Sequence, residues 1–339
     1  LGPSVATSHP PSSIRDILAL VVVFVLPARA LVLASQGIRR LPFTRNRSWL
    51  KPALGTAAIL PLAITGLMTA RDYFWLWPQN QVVRFVYQSD LTAVARHLEE
   101  IPLTTSVAVA GLSVDTMDAP TLELSSRRET QDVRLCDTRE TLVIPSGTRA
   151  EVDVPNVVPF DEDLRQQSLE WGAREDTDPN TPYRRYTLAS GAPSIETISI
   201  TRDGISLANG TPAMPPLCFG GTLSFLGYRW LQMPAAGHES ATLLTYWQVD
   251  NRTLHSLRIF AHMLQENDTV IAQADGLASP SFSWDPGDLI VQKHVFSLPD
   301  PDDEERLRVE LGVYDTDTRV RLMTGSSDRL FVPALEASE

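Results

Sequence analysis

The chain has 339 residues, enough for about two or three compact units. Its 41 acidic and 29 basic residues give a net charge of −12. That argues against DNA or RNA as a partner, because their phosphates would be repelled. Two cysteines, Cys136 and Cys218, without a CxxC or any Cys/His ligand spacing, give no zinc site and no identifiable cofactor.

The charge is divided unevenly. The first 71 residues carry eight basic side chains and one acid, net +7 against −12 for the whole chain, which leaves −19 for the rest. The chain begins with Leu1, which reads as processing or truncation, with 1–16 as an external loop. Residues 17–35 are apolar apart from Arg29 and contain Pro27. Residues 53–70 carry no charge. Each is near the length of a bilayer-spanning helix, about 20 residues, and Arg29 reads as an intramembrane charge in need of a partner. Between them, 36–52 holds five positive residues and no acid, the mark of a cytoplasmic loop. The expectation is a multi-pass membrane protein, with everything after 70 outside the cytoplasm. Tyr73, Phe74, Trp75 and Trp77 suit the lipid–water interface or a local aromatic cluster.

Residues 71–171 read as a small α/β domain. A helix over 90–100 would bury Leu91, Val94, Ala95 and Leu98 and be capped by Asp90. A strand at 106–110, a helix at 119–125 started by Asp118, and strands at 132–136, 141–144 and 149–154 follow. No GxGxxG or P-loop lies at a strand-to-helix turn. Residues 172–214 read as a linker and a β-hairpin, with strands at 195–200 and 205–207 turning at Arg202-Asp203-Gly204. Residues 215–333 read as an antiparallel β-sandwich of jelly-roll type with a short tail at 334–339. Its strands are expected at 222–230, 241–249, 257–264, 269–273, 289–296, 307–314 and 319–323. Leu307, Val309, Leu311 and Val313 alternate with Arg308, Glu310 and Gly312, one buried face and one wet face.

The sandwich carries the phrases LSFLGYRW (223–230), LLTYWQV (243–249), LRIFAHML (257–264), AQAD (272–275), SWDPGD (283–288), KHVFSLP (293–299) and VELGVYD with RVRL (309–315, 319–322). In these it resembles the C-terminal extracytoplasmic domain of bacterial membrane glycosyltransferases of the protein-mannosyltransferase-like group (glycosyltransferase family 39-like), within the GT-C class. The resemblance extends from Tyr73 through the helix at 90–100 to Pro159. It implies a parent enzyme that transfers a hexose from a polyprenyl-phosphate donor to a glycan or protein acceptor. The family's catalytic acid lies in an early external loop, so no residue here inherits it, and this chain alone is expected to be inactive. Lys293 stands where an Asp commonly precedes the histidine, and His262-Met263-Leu264-Gln265 lacks the acid and glycine that often follow the His-Leu pair.

His262 and His294, with Asp275 and Asp285 on neighbouring loops, suggest a metal or acid–base cluster; hydrogen-bonded structural histidines are the preferred reading, because no ligand spacing supports a site. Asp315 and Asp317 look like half a calcium loop but lack its glycine and glutamate, which favours a solvated turn. Trp284, before a turn, is the candidate for stacking on a sugar ring, whereas Trp247 sits mid-strand among apolar neighbours and reads as core. Asn209, Asn251 and Asn267 head glycosylation triplets. Two functions compete: the C-terminal portion of a polyprenyl-phosphate-dependent glycosyltransferase, or an anchored β-sandwich module that binds glycan or protein without catalysis.

Overall fold

The computed structural model describes Val25, Arg29, Val32, Leu33, Gln36, Leu60 and residues 63–126, 133–234, 238–298 and 307–334. The chain divides into two units, Leu1–Val83 and Arg84–Glu339.

In the first unit, residues 63–71 are helical and give way to a π-helical turn, Asp72–Leu76, and a 3-10 turn, Trp77–Gln79. Tyr73 stacks on Trp77 with ring centroids 5.2 Å apart, and both rings are exposed. The expected membrane hairpin is corrected here. Among the described residues no helix is long and apolar enough to cross a membrane. Most of 17–35 and 53–62 lies outside the described residues. The expected GT-C membrane architecture falls with the hairpin, since the described chain is mostly strand in three five-stranded sheets.

Those sheets belong to the second unit. The first contains β1 (Ser106–Ala110), β2 (Val133–Cys136), β4 (Ala150–Pro155), β5 (Arg174–Asp176) and β6 (Tyr183–Leu188), in the order β2-β1-β4-β6-β5. Its β1 runs parallel to β2 and β4, while β6 runs antiparallel to β4 and β5. The second contains β3 (Thr141–Ile144), β8 (Leu217–Phe219), β9 (Leu223–Gln232), β10 (Ser240–Val249) and β13 (Leu289–Ser297), in the order β3-β13-β10-β9-β8. The third contains β7 (Ser206–Leu207), β11 (Leu257–Leu264), β12 (Val270–Gln273), β14 (Arg308–Asp315) and β15 (Leu330–Pro333), in the order β12-β11-β14-β15-β7.

Alternation along the strands stacks these sheets. Phe225, Leu243, Trp247 and Ile290 of the second sheet meet Ile259, Met263, Val309, Leu311 and Val313 of the third in one core. From its other face the second sheet packs Leu142, Ile144, Leu244, Tyr246 and Val291 against Ala108, Val152, Val154 and Tyr186 of the first. Apolar cover on both faces explains why β3 and β10 are buried at nearly every position. Helices α1 (Ser89–Glu100) and α2 (Ala119–Ser125) cover the far side of the first sheet, where Leu91, Val94, Ala95, Leu98 and Leu122 meet Val107, Val109 and Leu135.

The expected fold class, an α/β domain followed by a separate jelly-roll-like sandwich, is corrected by the strand pairing. β3 leaves the α/β stretch to pair with β13 through 141–144 and 289–292, because β13 without it would be an edge strand with one row of unpaired backbone groups. Residues expected as linker supply β5 and β6 to the first sheet. The anticipated strand at 195–200 forms only a bridge at its end, Thr201 to Tyr228, and 319–323 only a bridge from Arg321 to Tyr314. α3 (Glu162–Glu170) begins at Asp161, whose carboxylate accepts from the backbone N–H groups of Asp163 and Leu164. Asp90 does not cap α1. It lies in the first turn and pairs with Arg84 at 2.6 Å, while Gln88 stands before the helix in the left-handed region.

Buried polar groups tie the layers together. The guanidinium of Arg134 on β2 donates from Nε to Asp288 Oδ2 at 2.8 Å and from Nη2 to Asp285 Oδ2 at 2.6 Å. It thereby joins the first sheet to the turn that opens β13. Asp288 also accepts from the backbone N–H groups of Ser146 and Asp285, each at 2.7 Å.

Candidate functional site

The outward face of the third sheet gathers polar side chains into a row. Cross-strand register places Gln273 beside His262, His262 beside Glu310, Glu310 beside Phe331 and Phe331 beside Ser206, one residue from each strand. Directly opposed residues share a face, so the row crosses the whole sheet. Arg308 lies on the same face of β14 two residues before Glu310, and Arg321 and Arg329 flank β14 and β15. Together they line a groove of about 530 Å³, within the usual size of a ligand site.

Hydrogen bonds fix the charges. His262 Nδ1 stands 3.2 Å from Glu310 Oε2, and Nε2 stands 3.3 Å from Asp275 Oδ1. Those two carboxylates raise the imidazole to about 9, so it is protonated at neutral pH and donates from both nitrogens. Burial works against ionisation of Glu310, but hydrogen bonds from His262 and Arg329 outweigh it and hold the carboxyl down at about 2. Arg329 Nη1 donates to Glu310 Oε1 at 2.7 Å. Two guanidinium groups lie over aromatic rings: Arg308 is 4.4 Å from the centroid of Phe331 and Arg321 is 4.3 Å from that of Phe260. Arg308 also pairs with Asp268.

Two features define what this face does. Four cationic groups (His262, Arg308, Arg321, Arg329) line it, each already paired with a carboxylate: His262 with Asp275 and Glu310, Arg308 with Asp268, and Arg321 and Arg329 with Glu310 and Asp328. The Nε–H groups of Arg308 and Arg329 are buried without a hydrogen-bond acceptor, and such donors are costly to leave unmatched. Neither His262 nor Glu310 suits proton transfer near pH 7, because one stays protonated and the other stays ionised. What the face offers is a set of charged hydrogen-bonding groups rather than an acid–base pair.

Other residues singled out in the sequence lie elsewhere. His294 is buried on β13 in the second sheet, Nδ1 donating to the Ala274 carbonyl at 2.7 Å and Nε2 accepting from Thr245 at 2.9 Å. Burial holds it down at about 4, so it is a neutral structural histidine. Asp275 joins His262, whereas Asp285 faces Arg134 and Arg252. The sugar-stacking role anticipated for Trp284 is corrected: the ring is 1 % exposed, and its indole N–H donates to Ser279 Oγ at 2.8 Å. Trp247 is core, edge-on to Phe225. Asp315 Oδ1 accepts from the backbone N–H groups of Asp317 and Thr318, as in a plain turn. Cys136 is buried and Cys218 exposed, and both are free thiols. Arg29 is exposed in the first unit. Sequence reasoning missed Arg321, Arg329, Phe331, Gln273 and Ser206. The outward positions of Arg308 and Glu310 in the alternating run were the available signal.

No family model and no curated protein matches the chain. Among solved structures it is similar to a β-glucuronidase of Bacteroides uniformis, with 14% identity and a TM-score of 0.22 over 43% of this chain and 18% of that one. It is also similar to the ApaA protein of Bordetella pertussis, with 14% identity and a TM-score of 0.18 over 36% of this chain and 93% of that one. The chain thus spans less than a fifth of the glucuronidase, and likenesses of this level carry no argument about function.

Proposed function

We propose that this chain is the sugar-recognising accessory region of a sugar-transferring protein, and that the outer face of its third sheet binds an anionic glycan. The carrying observation is the groove of three arginines and a protonated histidine, with the arginine side chains 36–40 % exposed along it. Planar guanidinium forks suit a carboxylate, sulfate or phosphate on a saccharide, which they grip through paired hydrogen bonds. The resemblance of the sandwich phrases to glycosyltransferase accessory domains supports the sugar-transferring parent in this reading.

The test is binding of the full chain to a panel of neutral and acidic oligosaccharides, with the double variant Arg308→Gln/Arg329→Gln beside it. A charge-assisted hydrogen bond contributes about 1.5–3 kcal/mol, so losing one such contact lowers affinity roughly 10- to 150-fold. Acidic saccharides are expected to bind, to weaken in salt and to be lost in the variant. Equal retention of neutral sugars, or unchanged binding by the folded variant, overturns the proposal. Transfer of labelled hexose from a polyprenyl-phosphate carrier by the full-length protein tests the parent activity separately.

A further inference from the structure

A second constellation lies on the opposite side of the unit, between α1 and the first sheet. Glu151 and Asp153 are two apart on β4, so both side chains leave the strand on the face turned toward the helices. Their intervening neighbour Val152 packs the other way, into the core shared with the second sheet. His97, in the last turn of α1, reaches down to them, its Nε2 standing 2.6 Å from Glu151 Oε1. One donor atom from each of the three lies within 4.8 Å of the others.

Asp153 has a cationic neighbour in Arg185 but no hydrogen bond. Its residue is wholly buried, and neither carboxylate oxygen accepts a hydrogen bond. Arg185, directly across the strand pair on β6, places Nε 3.5 Å from Asp153 Oδ1 and 2.8 Å from Glu151 Oε1. That Nε is also buried without a hydrogen bond, so the Asp153 oxygens and Arg185 Nε are left unsatisfied while Glu151 Oε1 is held by His97. The guanidinium is held outward by Tyr183, whose hydroxyl accepts from Nη2 at 3.1 Å, and by Asp176 at 3.7 Å. A buried carboxylate left without donors costs several kcal/mol unless something else compensates it.

We propose that His97, Glu151 and Asp153 bind one divalent transition-metal ion of the zinc type. Mixed imidazole and carboxylate donors suit zinc better than magnesium or calcium, which favour oxygen alone. An ion at about 2.0–2.2 Å from each donor sets tetrahedral donors about 3.3–3.6 Å apart, so the 2.6 Å His97–Glu151 contact opens and the widest separation closes, each by up to roughly an ångström. Two carboxylates balance its charge, and Asp153 gains the partner it lacks. Arg185 stays outside as a hydrogen-bond donor to a carboxylate oxygen, the position from which outer groups orient metal ligands. His97 and Arg185, 12 % and 23 % exposed, form the solvent side through which an ion enters.

The experiment uses the full chain, stripped with chelator and then titrated with zinc by calorimetry and with cobalt(II) by visible absorption. One saturable equivalent and cobalt ligand-field bands are expected. His97→Ala and Asp153→Asn should each lower affinity by at least about tenfold. In chelator, Asp153→Asn is expected to melt no lower than the parent, since it removes an uncompensated buried charge, which separates metal loss from unfolding. His97→Ala serves as the second variant should Asp153→Asn misfold. Absence of saturable binding overturns the proposal. So does binding unchanged in either folded variant, which would place the ion on other residues.

Discussion

Replacing Arg134 by methionine tests the polar tie between the first sheet and the turn before β13. Arg134 is 4 % exposed and Asp288 not at all. The substitution keeps most of the apolar stem volume and removes the donations from Nε at 2.8 Å and Nη2 at 2.6 Å. Breaking a buried pair from one side costs about 3–5 kcal/mol, because the other charge stays behind. Asp288 still accepts two backbone N–H groups at 2.7 Å, which places the expected loss near the lower figure, about 3 kcal/mol. At roughly 2–4 °C per kcal/mol for a unit of this size, Tm falls by about 6–12 °C. Urea denaturation followed by tryptophan fluorescence reads the change directly. Asp288→Asn in the Arg134→Met background should recover part of it, since the stranded charge is gone. A loss under about 0.5 kcal/mol, or strictly additive single and double variants, refutes the argument that this pair locks the layers.

Three further outcomes follow from the structure. A Cβ at Gly312 would overlap the Phe260 ring and come within 2.8 Å of the Asp328 carbonyl oxygen, so Gly312→Ala should cost about 1–3 kcal/mol in a chemical melt; an unchanged midpoint would mean the strand can shift. His262 rises from 6.5 to about 9 on folding, so its contribution is full below about pH 6.5 and is lost as pH rises through about 9; His262→Gln should flatten that part of the Tm-against-pH curve, and an identical curve refutes the assignment. Exposed Cys218 should react with a disulfide reagent in the folded protein, while Cys136, buried with its thiol pushed up to about 12, should react only on unfolding; two fast thiols would contradict the burial.

How much was legible depended on whether the signal was local. The core face of α1 followed from spacing alone, because Leu91, Val94, Ala95 and Leu98 recur at helical period and are all buried. Alternation in 307–314 gave the core face of β14, but the face expected to be wet is largely covered, with Glu310 and Gly312 buried. β6 was hidden behind Asp178-Pro179-Asn180, turn residues that made its neighbourhood read as linker, although Tyr183, Tyr186 and Leu188 are buried. α3 had a readable cap in Asp161, but its mostly polar run Glu162–Glu170 offered a weak apolar stripe. The groove was legible only in fragments, as His262 with Asp275 and the alternating Arg308 and Glu310. It needs Ser206 beside Phe331 and Phe331 beside Glu310, and register between distant strands leaves no mark in sequence. The membrane reading came from hydropathy in a region where the described helical stretch is too short to cross.

The middle sheet has a consequence for how such a protein can change over evolutionary time. Because β10 and β13 send side chains into two different cores, neither flanking layer can be exchanged as an independent cassette. Recombination that swapped only residues from β8 onward would import a sheet whose second face matched no resident partner, and β3 would have no strand of its own lineage to join. Variation should therefore concentrate in the groove-lining arginines and in the loops, where ligand preference can drift, while the stacked layers are inherited as one block.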